Sequence, residues 1–270
     1  MMIQTRIKSS IVIWGTLLAL MLALHSFGIF LATLLIAFCA ITEYNQITQV
    51  NPLTGRVTTL ISLAFLLIYY TCAHFPGDSI DWLYLGVIAF LCHWHLFVEP
   101  SARTFFLSLF QFLYIPFNLH FFIKIIEHYQ WSSQGLWVIG WLVCITKMTD
   151  VGGYFIGTHF GKTPLAPSVS PHKTVEGMYG GFIFAIITSW IYRAFFGTHL
   201  PAMHWITSLG FILILSWSSI LSDLIESLIK RYFSVKDSSQ LLPGVGGILD
   251  LVDSLLLSIP LAYFLIKHFF

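Results

Sequence analysis

Charged residues are scarce in this 270-residue chain. Asp, Glu, Lys and Arg together make up 9% of the sequence, whereas soluble domains carry roughly 25%. This scarcity excludes an ordinary soluble fold. The formal net charge is only +1 and the basic residues are dispersed, which excludes the clustered positive surface that nucleic-acid binding needs. The composition does not exclude a protein that binds small charged ligands.

Cysteines are also few. All four lie within apolar runs, without the spacing of a metal site or the exposed context of a disulfide framework: Cys39, Cys72, Cys92 and Cys144. We interpret them as lipid-facing or packing residues. Low-complexity segments are absent, and the sequence shows no internal repeat of the kind that marks many secondary transporters.

Long apolar runs dominate instead. Hydrophobic residues make up 57% of the chain, and its mean hydropathy is +0.83. A spanning helix needs about 20 mostly apolar residues, so the sequence predicts an all-α, polytopic bundle of about nine transmembrane spans. The runs are Ile11 to Leu24, Phe27 to Ile41, Val57 to Ala73, Trp82 to Val98, Thr104 to Ile126, Leu136 to Ile156, Met178 to Phe196, Trp205 to Ile229 and Ile248 to Phe269.

The first two runs are short and only His25 and Ser26 separate them, so a re-entrant hairpin is an alternative to two spans. Arg6 and Lys8 precede the first run, as in a signal peptide. Since no small-residue cleavage site follows, we predict an uncleaved first helix.

The loop cations give the predicted bundle a direction. With nine spans, nearly all loop lysines and arginines fall on one side, while Lys124 and Lys267 lie toward the other. The positive-inside rule then predicts a cytoplasmic N-terminus and an external C-terminus. We predict an N-terminal region, 1–130, of about five spans, and a C-terminal catalytic region, 131–270. The catalytic region carries two polar cytoplasmic loops, 158–177 and 231–246.

Acidic residues at the ends of the last two spans are candidates for chemistry. Asp223 lies late in the eighth run, and Asp250 and Asp253 are three residues apart on one face of the ninth. An ionisable group at the centre of a span costs roughly 2.5–3.5 kcal/mol, so such acids need a partner or a role. Hard oxygen ligands suit Mg²⁺, and we predict that these three residues bind it. The alternative is that they only pair with neighbouring cations.

Glycines precede the last helix. Gly244, Gly246 and Gly247 stand where free N–H groups and the positive end of the helix dipole favour an anion. Because glycine has no side chain, a phosphate can approach the backbone closely there. This segment is therefore predicted to bind phosphate.

A second cluster follows the sixth span. Gly153, Gly157 and Gly161 recur every four residues, which we interpret as a helix-packing face. The run that follows, 168–177, combines hydroxyls with Lys173, a turn-setting proline, and Thr174 placed to cap the next helix. It is predicted to be a loop that grips phosphate.

In these two clusters the sequence resembles the CDP-diacylglycerol synthases, also called phosphatidate cytidylyltransferases. The C-terminal signature of that family is matched at Asp223, Leu224, Glu226, Ser227, Lys230, Arg231, Lys236, Asp237, Gly246, Gly247, Asp250 and Asp253. The first cluster matches at Asp150, Tyr154, Gly157, Gly161, Lys162, 165–167, 169–171, Lys173, Thr174, Glu176 and Gly177. Glu43 and Tyr44 form a weaker third match.

The resemblance implies that CTP and phosphatidic acid react at the cytoplasmic face of the membrane, expected to be a bacterial inner membrane. The products would be CDP-diacylglycerol and pyrophosphate, with Mg²⁺ as cofactor, alone or with a second cation, in a homodimer. The implied catalytic residues are Asp223, Lys230, Arg231, Lys236, Asp237, Asp250 and Asp253. The implied substrate-binding residues are Asp150, Lys162, Ser170, Lys173, Thr174, Glu176, Gly246 and Gly247.

Two positions depart from the family pattern. Val245 stands where the family has histidine, and Leu251 where it has arginine, so a proton acceptor and a phosphate clamp are missing. Three alternatives stay open: a CTP-dependent polyprenol or phytol kinase, which would release CDP; an ion-coupled transporter that uses the intramembrane acids; and a non-catalytic relative.

Overall fold

The computed structural model describes residues 2–73, 81–239 and 246–269 of the protein. Within these ranges the chain is almost entirely helical, with one short β-hairpin and one 3₁₀ turn, Gly197–His199. The helices are α1 (Met2–Thr48), α2 (Pro52–Cys72), α3 (Asp81–Phe97), α4 (Ala102–Tyr114), α5 (Pro116–His128), α6 (Ser133–Phe160), α7 (Val175–Phe196), α8 (Trp205–Tyr232) and α9 (Ile248–Phe269).

Long apolar helices confirm the predicted polytopic helical membrane protein. Seven segments of the described chain are long and apolar enough to cross a membrane: Ala23–Thr48, Pro52–Cys72, Ala102–His128, Ser133–Phe160, Val175–His199, Trp205–Tyr232 and Ile248–Phe269. A shorter apolar helix covers Trp82–Phe97. The chain is therefore an integral membrane protein, and the count of about nine spans stays a prediction.

Helix α1 covers both of the first two predicted spans. Its backbone leaves helical geometry at His25, where φ is 52° and ψ is −129°. A positive φ is uncommon for a residue with a side chain, so His25 marks a break in the helix. The sequence separates its first two runs at this same residue.

The predicted fifth span is two helices laid end to end. α4 ends at Tyr114 and α5 begins at Pro116, whose ring removes a backbone donor and clashes with a continuing helix. The amide nitrogen of Asn118 donates to the carbonyls of Leu113 (2.9 Å) and Tyr114 (2.8 Å). This side chain satisfies two carbonyls at the break, as an apolar environment requires.

The chain forms two compact units, each discontinuous in sequence. Unit 1 contains Met1–Glu127 and Asp237–Asp250, and unit 2 contains His128–Lys236 and Leu251–Phe270. The first turn of α9 thus belongs to unit 1. In unit 1, His120 is buried, and its Nε2 lies within hydrogen-bond distance of Tyr84 Oη, at 2.8 Å. The rings of Phe65 and Tyr69 pack edge-on against the imidazole.

In unit 2, α6 and α7 pack with their backbones nearly in contact. A Cβ atom placed on Gly152 would lie 2.6 Å from the carbonyl oxygen of Gly180, and one on Gly177 would lie 2.7 Å from that of Gly153. No such atom can approach so closely, so the contact requires glycine. We call this contact the glycine seam; it comprises Gly152, Gly153 and Gly157 of α6 and Gly177, Gly180 and Gly181 of α7. The predicted packing role is confirmed for Gly153 and Gly157, while Gly161 is the residue that follows the end of α6.

Serine hydroxyls join α8 to α9 within unit 2. Ser218 Oγ lies 3.0 Å from Ser258 Oγ. Ser222 Oγ donates to the carbonyl of Asp253 and accepts from the N–H of Leu257 at 3.2 Å. Such hydroxyl contacts hold helices together where lipid offers no hydrogen-bond partners.

The predicted phosphate loop contains a β-hairpin. β1 (Pro164–Ala166) pairs with β2 (Ser170–Thr174) in antiparallel register, Pro164 opposite Thr174 and Ala166 opposite Ser170. α6 continues to Phe160 and α7 begins at Val175, so little of the predicted loop 158–177 is irregular. The hairpin gives the polar residues of this segment fixed directions.

Candidate active site

A cleft in unit 2 gathers several of the sequence-predicted residues. It encloses about 250 Å³ between α6, the hairpin, α7 and α8. Its charged lining residues are Asp150 from α6, Lys173 from β2 and Asp223 from α8. His172 of β2 and Tyr154 of α6 also line it, so the cleft offers aromatic as well as ionic contacts.

The central ion pair of the cleft joins Lys173 to Asp223. Lys173 Nζ lies 2.5 Å from Asp223 Oδ2, and the two side chains are 24% and 26% exposed. The pair is therefore largely shielded from water but remains accessible from the cleft. Partial burial strengthens the attraction, because solvent screens it less than at a surface.

A second ion pair lies on α6. Lys147 Nζ is 3.3 Å from Asp150 Oδ2, one helical turn away, and it donates to Ser254 Oγ of α9 at 2.6 Å. Lys147 thus ties α6 to the part of α9 that belongs to unit 2. The sequence predicts Asp150 as a substrate contact, and the structure places it on the cleft wall beside this lysine.

Three carboxylates of unit 2 could hold a metal ion. One oxygen from each of Asp223, Glu226 and Asp253 lies within 4.8 Å of the other two. Glu226 is buried and forms an ion pair with Lys230 one turn further along α8. Several carboxylate oxygens that converge on one point are the donor set that Mg²⁺ accepts, so these residues fit such an ion. The structure brings together two predicted ligands, Asp223 and Asp253, with Glu226 as the third member.

Three other predicted residues, Thr174, Glu176 and Lys162, lie in the segment around the hairpin. Thr174 Oγ1 accepts from the N–H of Gly177 at 3.1 Å, which confirms it as the N-cap of α7. Glu176 accepts from the backbone N–H groups of Lys162 (3.0 Å) and Thr163 (3.1 Å) and from the Thr163 hydroxyl. Glu176 therefore fastens the chain between α6 and β1, and its predicted substrate contact stays a prediction. Lys162 is exposed.

The remaining cations lie at and beyond the end of α8. Arg231 Nε donates to the carbonyl of Val169 at 3.4 Å, which links this end of α8 to the hairpin. Ser170 is half-buried in β2, while Lys236 and Asp237 are exposed. The predicted catalytic roles of Arg231, Lys236 and Asp237 stay predictions.

Protein carboxylates occupy the predicted phosphate site at the start of α9, in unit 1. Glu43 Oε1 accepts from the N–H of Ile248 at 2.9 Å, and its Oε2 accepts from that of Leu249 at 2.8 Å. Asp250 Oδ2 accepts from the N–H of Gly247 at 2.8 Å and from both the N–H and the hydroxyl of Ser238. The N–H groups at this helix N-terminus therefore donate to side chains of this protein, and the predicted phosphate contact stays a prediction.

Steric contacts at the two glycines agree with this arrangement. Gly246 has φ 113°, a conformation that residues with side chains rarely adopt. A Cβ atom on Gly247 would lie 2.6 Å from Cδ of Glu43. Glycine is thus needed here because carboxylates approach the backbone closely. Gly244 and Val245 lie outside the described residues.

Comparison with known proteins decides the family. The cytidylyltransferase family profile matches residues 4–269 of this chain. The chain belongs to the cytidylyltransferase family. A phosphatidate cytidylyltransferase of Haemophilus influenzae is 31% identical to this family member, over 100% of this chain and 99% of its own length.

Two further relatives carry the same name. The phosphatidate cytidylyltransferase of Staphylococcus epidermidis is 33% identical over 84% of this chain and 85% of its own length. That of Bacillus subtilis is 41% identical over 58% of this chain and 56% of its own length. The latter match therefore covers little more than half of that relative.

Sequence reasoning gave no role to three residues to which the structure of this cytidylyltransferase family member assigns specific contacts: one among the converging carboxylates, one in the cleft and one at the start of α9. Glu226 is matched to the family pattern, but only the structure puts it beside Asp223 and Asp253. His172 lies in the predicted polar loop without an assigned role, and it lines the cleft. Glu43 is only a weak match, and its partners lie 195 to 206 residues away.

Proposed function

We propose that this protein transfers the cytidylyl group of CTP to phosphatidic acid. An oxygen of the lipid phosphate would bond to the α-phosphorus of CTP, while the bond from that phosphorus to the oxygen that bridges to the β-phosphate breaks. Pyrophosphate leaves with the electron pair, and CDP-diacylglycerol remains. The observation that carries the proposal is family membership over nearly the whole chain, with a full-length relative named phosphatidate cytidylyltransferase.

The cleft of unit 2 supports a nucleotide-phosphate site. Both reactants are anionic, so the protein must mainly neutralise charge and align the groups. We propose that Lys173 and the half-buried hairpin residue Ser170 contact the CTP phosphates. The enclosed volume of about 250 Å³ is slightly below the roughly 300–1,000 Å³ of small-molecule sites, which suits the phosphate-bearing part of the nucleotide.

A divalent cation, Mg²⁺ in our proposal, would be held by Asp223, Glu226 and Asp253, whose oxygens converge within 4.8 Å. When bound, it would supply Lewis-acid neutralisation of phosphate oxygens. Asp250, the other predicted ligand, is not among the three described residues whose oxygens converge. We therefore propose Glu226 in its place.

The cations at the end of α8 suit the lipid phosphate or the departing pyrophosphate. Lys230 and Arg231 occupy the last turn of the helix, and Lys236 follows four residues after its end. Lipid headgroups lie where transmembrane helices end, and lysine and arginine extend toward them. Such a site receives phosphatidic acid from the leaflet and CTP from water.

We further propose that the site faces the cytoplasm at the inner membrane of a bacterium. Two observations support this: the named relatives are bacterial, and the loop cations sort to one side of the predicted spans. The homodimer implied by the family resemblance stays a prediction.

The test is an assay of purified protein with phosphatidic acid, Mg²⁺ and CTP labelled at the α-phosphate. We expect the label to enter the lipid and pyrophosphate to appear in equal amount. Label that remains in CDP while the lipid gains a phosphate would identify a lipid kinase instead. No product from this protein, under conditions in which the Haemophilus influenzae relative is active, would overturn the proposal.

A further inference from the structure

Glu43 is a buried carboxylate to which the proposed reaction gives no role. It lies near the end of α1 and is 4% exposed. Its two oxygens lie within hydrogen-bond distance of four donors, the N–H groups of Ile248 and Leu249 and the hydroxyls of Ser238 (3.1 Å) and Ser239 (2.7 Å). All of these residues belong to unit 1. A side chain so fully engaged is held in one position and holds its partners in turn.

The bonds to Ile248 and Leu249 replace a missing helix cap. A helix leaves its first N–H groups without intrahelical partners, and a serine, threonine or aspartate at the preceding position normally accepts from them. Gly247 precedes α9 and has no side chain to do so. Glu43 supplies the acceptor from α1, while Asp250 accepts from the N–H of Gly247, as in a capping box.

Ser238 couples Glu43 to Asp250. Its hydroxyl lies 3.1 Å from Glu43 Oε2 and 2.7 Å from Asp250 Oδ2. A hydroxyl carries a single proton, so it can donate to only one of the two carboxylates at a time. The backbone N–H of Ser238 also donates to Asp250, at 2.9 Å. Displacement of Glu43 therefore changes both the start of α9 and the hydrogen bonds that orient Asp250.

We infer that Glu43 is a positioning residue for the cytidylyl transfer proposed above, acting through the first turn of α9, the helix that carries the proposed metal ligand Asp253. The inference rests on that proposed function. It also predicts which side chains can replace glutamate at position 43. All four partners are donors, and two are backbone groups that cannot reverse, so an acceptor-only carboxylate is required.

Glutamine is nearly isosteric with glutamate but cannot serve. Its NH₂ group would face either Ile248 N–H or Leu249 N–H, leaving that donor without an acceptor. Aspartate keeps the charge on a shorter side chain. We therefore expect Glu43→Gln to be more damaging than Glu43→Asp. Glu99→Gln is the control, because Glu99 is another acid of unit 1, half-buried and hydrogen-bonded to Thr54.

The first measurement is hydrogen–deuterium exchange of a peptide that covers residues 246–252. In Glu43→Gln we expect exchange to quicken about 10-fold or more, since a hydrogen bond to a charged group contributes a factor of about 10–150. Glu99→Gln should leave this peptide unchanged. This readout requires no turnover and therefore does not depend on the proposed reaction.

The second measurement separates kcat from KM. Loss of Glu43 should lower kcat about 10- to 100-fold, because small displacements of catalytic groups are costly, with KM for CTP changed less than about threefold. Glu43→Asp should recover part of the rate. If Glu43→Gln does not fold, Ser239→Ala takes its place in the assay. This change removes one of the four hydrogen bonds to Glu43 and should lower kcat by a smaller factor.

Unchanged exchange in Glu43→Gln, or a kcat within twofold of wild type, would overturn the inference. So would equal losses in Glu43→Gln and Glu99→Gln, since a general weakening of unit 1 would explain both. If the wild type makes no CDP-diacylglycerol, the proposed function fails. The exchange measurement then decides separately whether Glu43 anchors α9.

Discussion

Lys173 Nζ lies 2.5 Å from Asp223 Oδ2 and joins the hairpin strand β2 to helix α8 within unit 2. The pair forms part of the cleft wall. An arriving triphosphate would compete with Asp223 for the ammonium group, because both are anions. The lysine is thus held in the cleft by one anion before the substrate arrives.

Lys173→Met should lower kcat/KM for CTP about 10- to 150-fold, the usual contribution of a hydrogen bond to a charged group. The measurement is initial rate against CTP concentration at saturating phosphatidic acid. Lys267→Met is the control, since Lys267 is an exposed lysine near the end of α9. Equal effects of the two changes would remove Lys173 from the nucleotide site.

Asp223→Asn should nearly abolish turnover, and Glu226→Gln should raise the Mg²⁺ concentration needed for half-maximal activity. The reason is that both residues belong to the converging carboxylates, and loss of one weakens metal binding more than packing. A titration of activity with Mg²⁺ measures this, with Glu99→Gln as control. An unchanged Mg²⁺ requirement in Glu226→Gln would exclude Glu226 from the metal site.

Gly177→Ala should destabilise the protein by about 1–3 kcal/mol, the usual cost of overpacking, because its Cβ would press on the Gly153 carbonyl in the glycine seam. Gly210→Ala, on α8, has nothing within 4 Å of the added atom. That control should be neutral or stabilising by about 0.5–1 kcal/mol, since alanine favours helix over glycine. Thermal unfolding in detergent compares the two variants. Similar melting temperatures would contradict the claim that the glycine seam requires glycine at position 177.

Reporter fusions should place the N-terminus in the cytoplasm and the C-terminus outside. The expectation follows from nine spans and from the sorting of loop cations to one side. Fusions after Met1 and Phe270 that report the same face would show that the number of spans is even, and the predicted topology would then be wrong.

Val245→His should raise the rate without being essential for it. The residue stands where the family has histidine, while the carboxylates and Lys173 still supply most of the charge neutralisation. A contact to one phosphate would contribute about 10- to 150-fold and a proton-transfer group about 10²–10⁴-fold. The assay is kcat at saturating substrates. A lower rate in Val245→His would show that the surrounding turn is adapted to valine.

Much of the fold follows from local sequence. The break in α1 falls at His25, where the two apolar runs separate, and Thr174 caps α7 as its position indicates. Pro116 indicates the break between α4 and α5, but the run from Thr104 to Ile126 is apolar throughout and was therefore predicted as one span. Hydropathy measures composition over a window and does not register a single missing donor.

The β-hairpin and the hydrogen-bond partners of the carboxylates could not be predicted from the sequence, for a different reason. β1 has three residues and β2 five, which is too short for an alternating apolar pattern to be recognised. Helical spacing correctly groups Asp250 and Asp253 on one face, yet Asp250 stands in the first turn, where free N–H groups attract its carboxylate. Glu226 and Glu43 acquire their partners through tertiary contacts that no local pattern encodes.

The capping of α9 by a residue of α1 also bears on how the chain is made. Leu249 follows Glu43 by 206 residues, which a ribosome adding about 5–20 residues per second synthesises in about 10–40 s. Throughout that interval Glu43 lacks the full set of donors that hold it in the folded protein. Unit 1 is therefore begun first but completed only after residues 128–236 of unit 2 have been synthesised, and a nascent chain that stops before α9 leaves Glu43 without the backbone donors of Ile248 and Leu249.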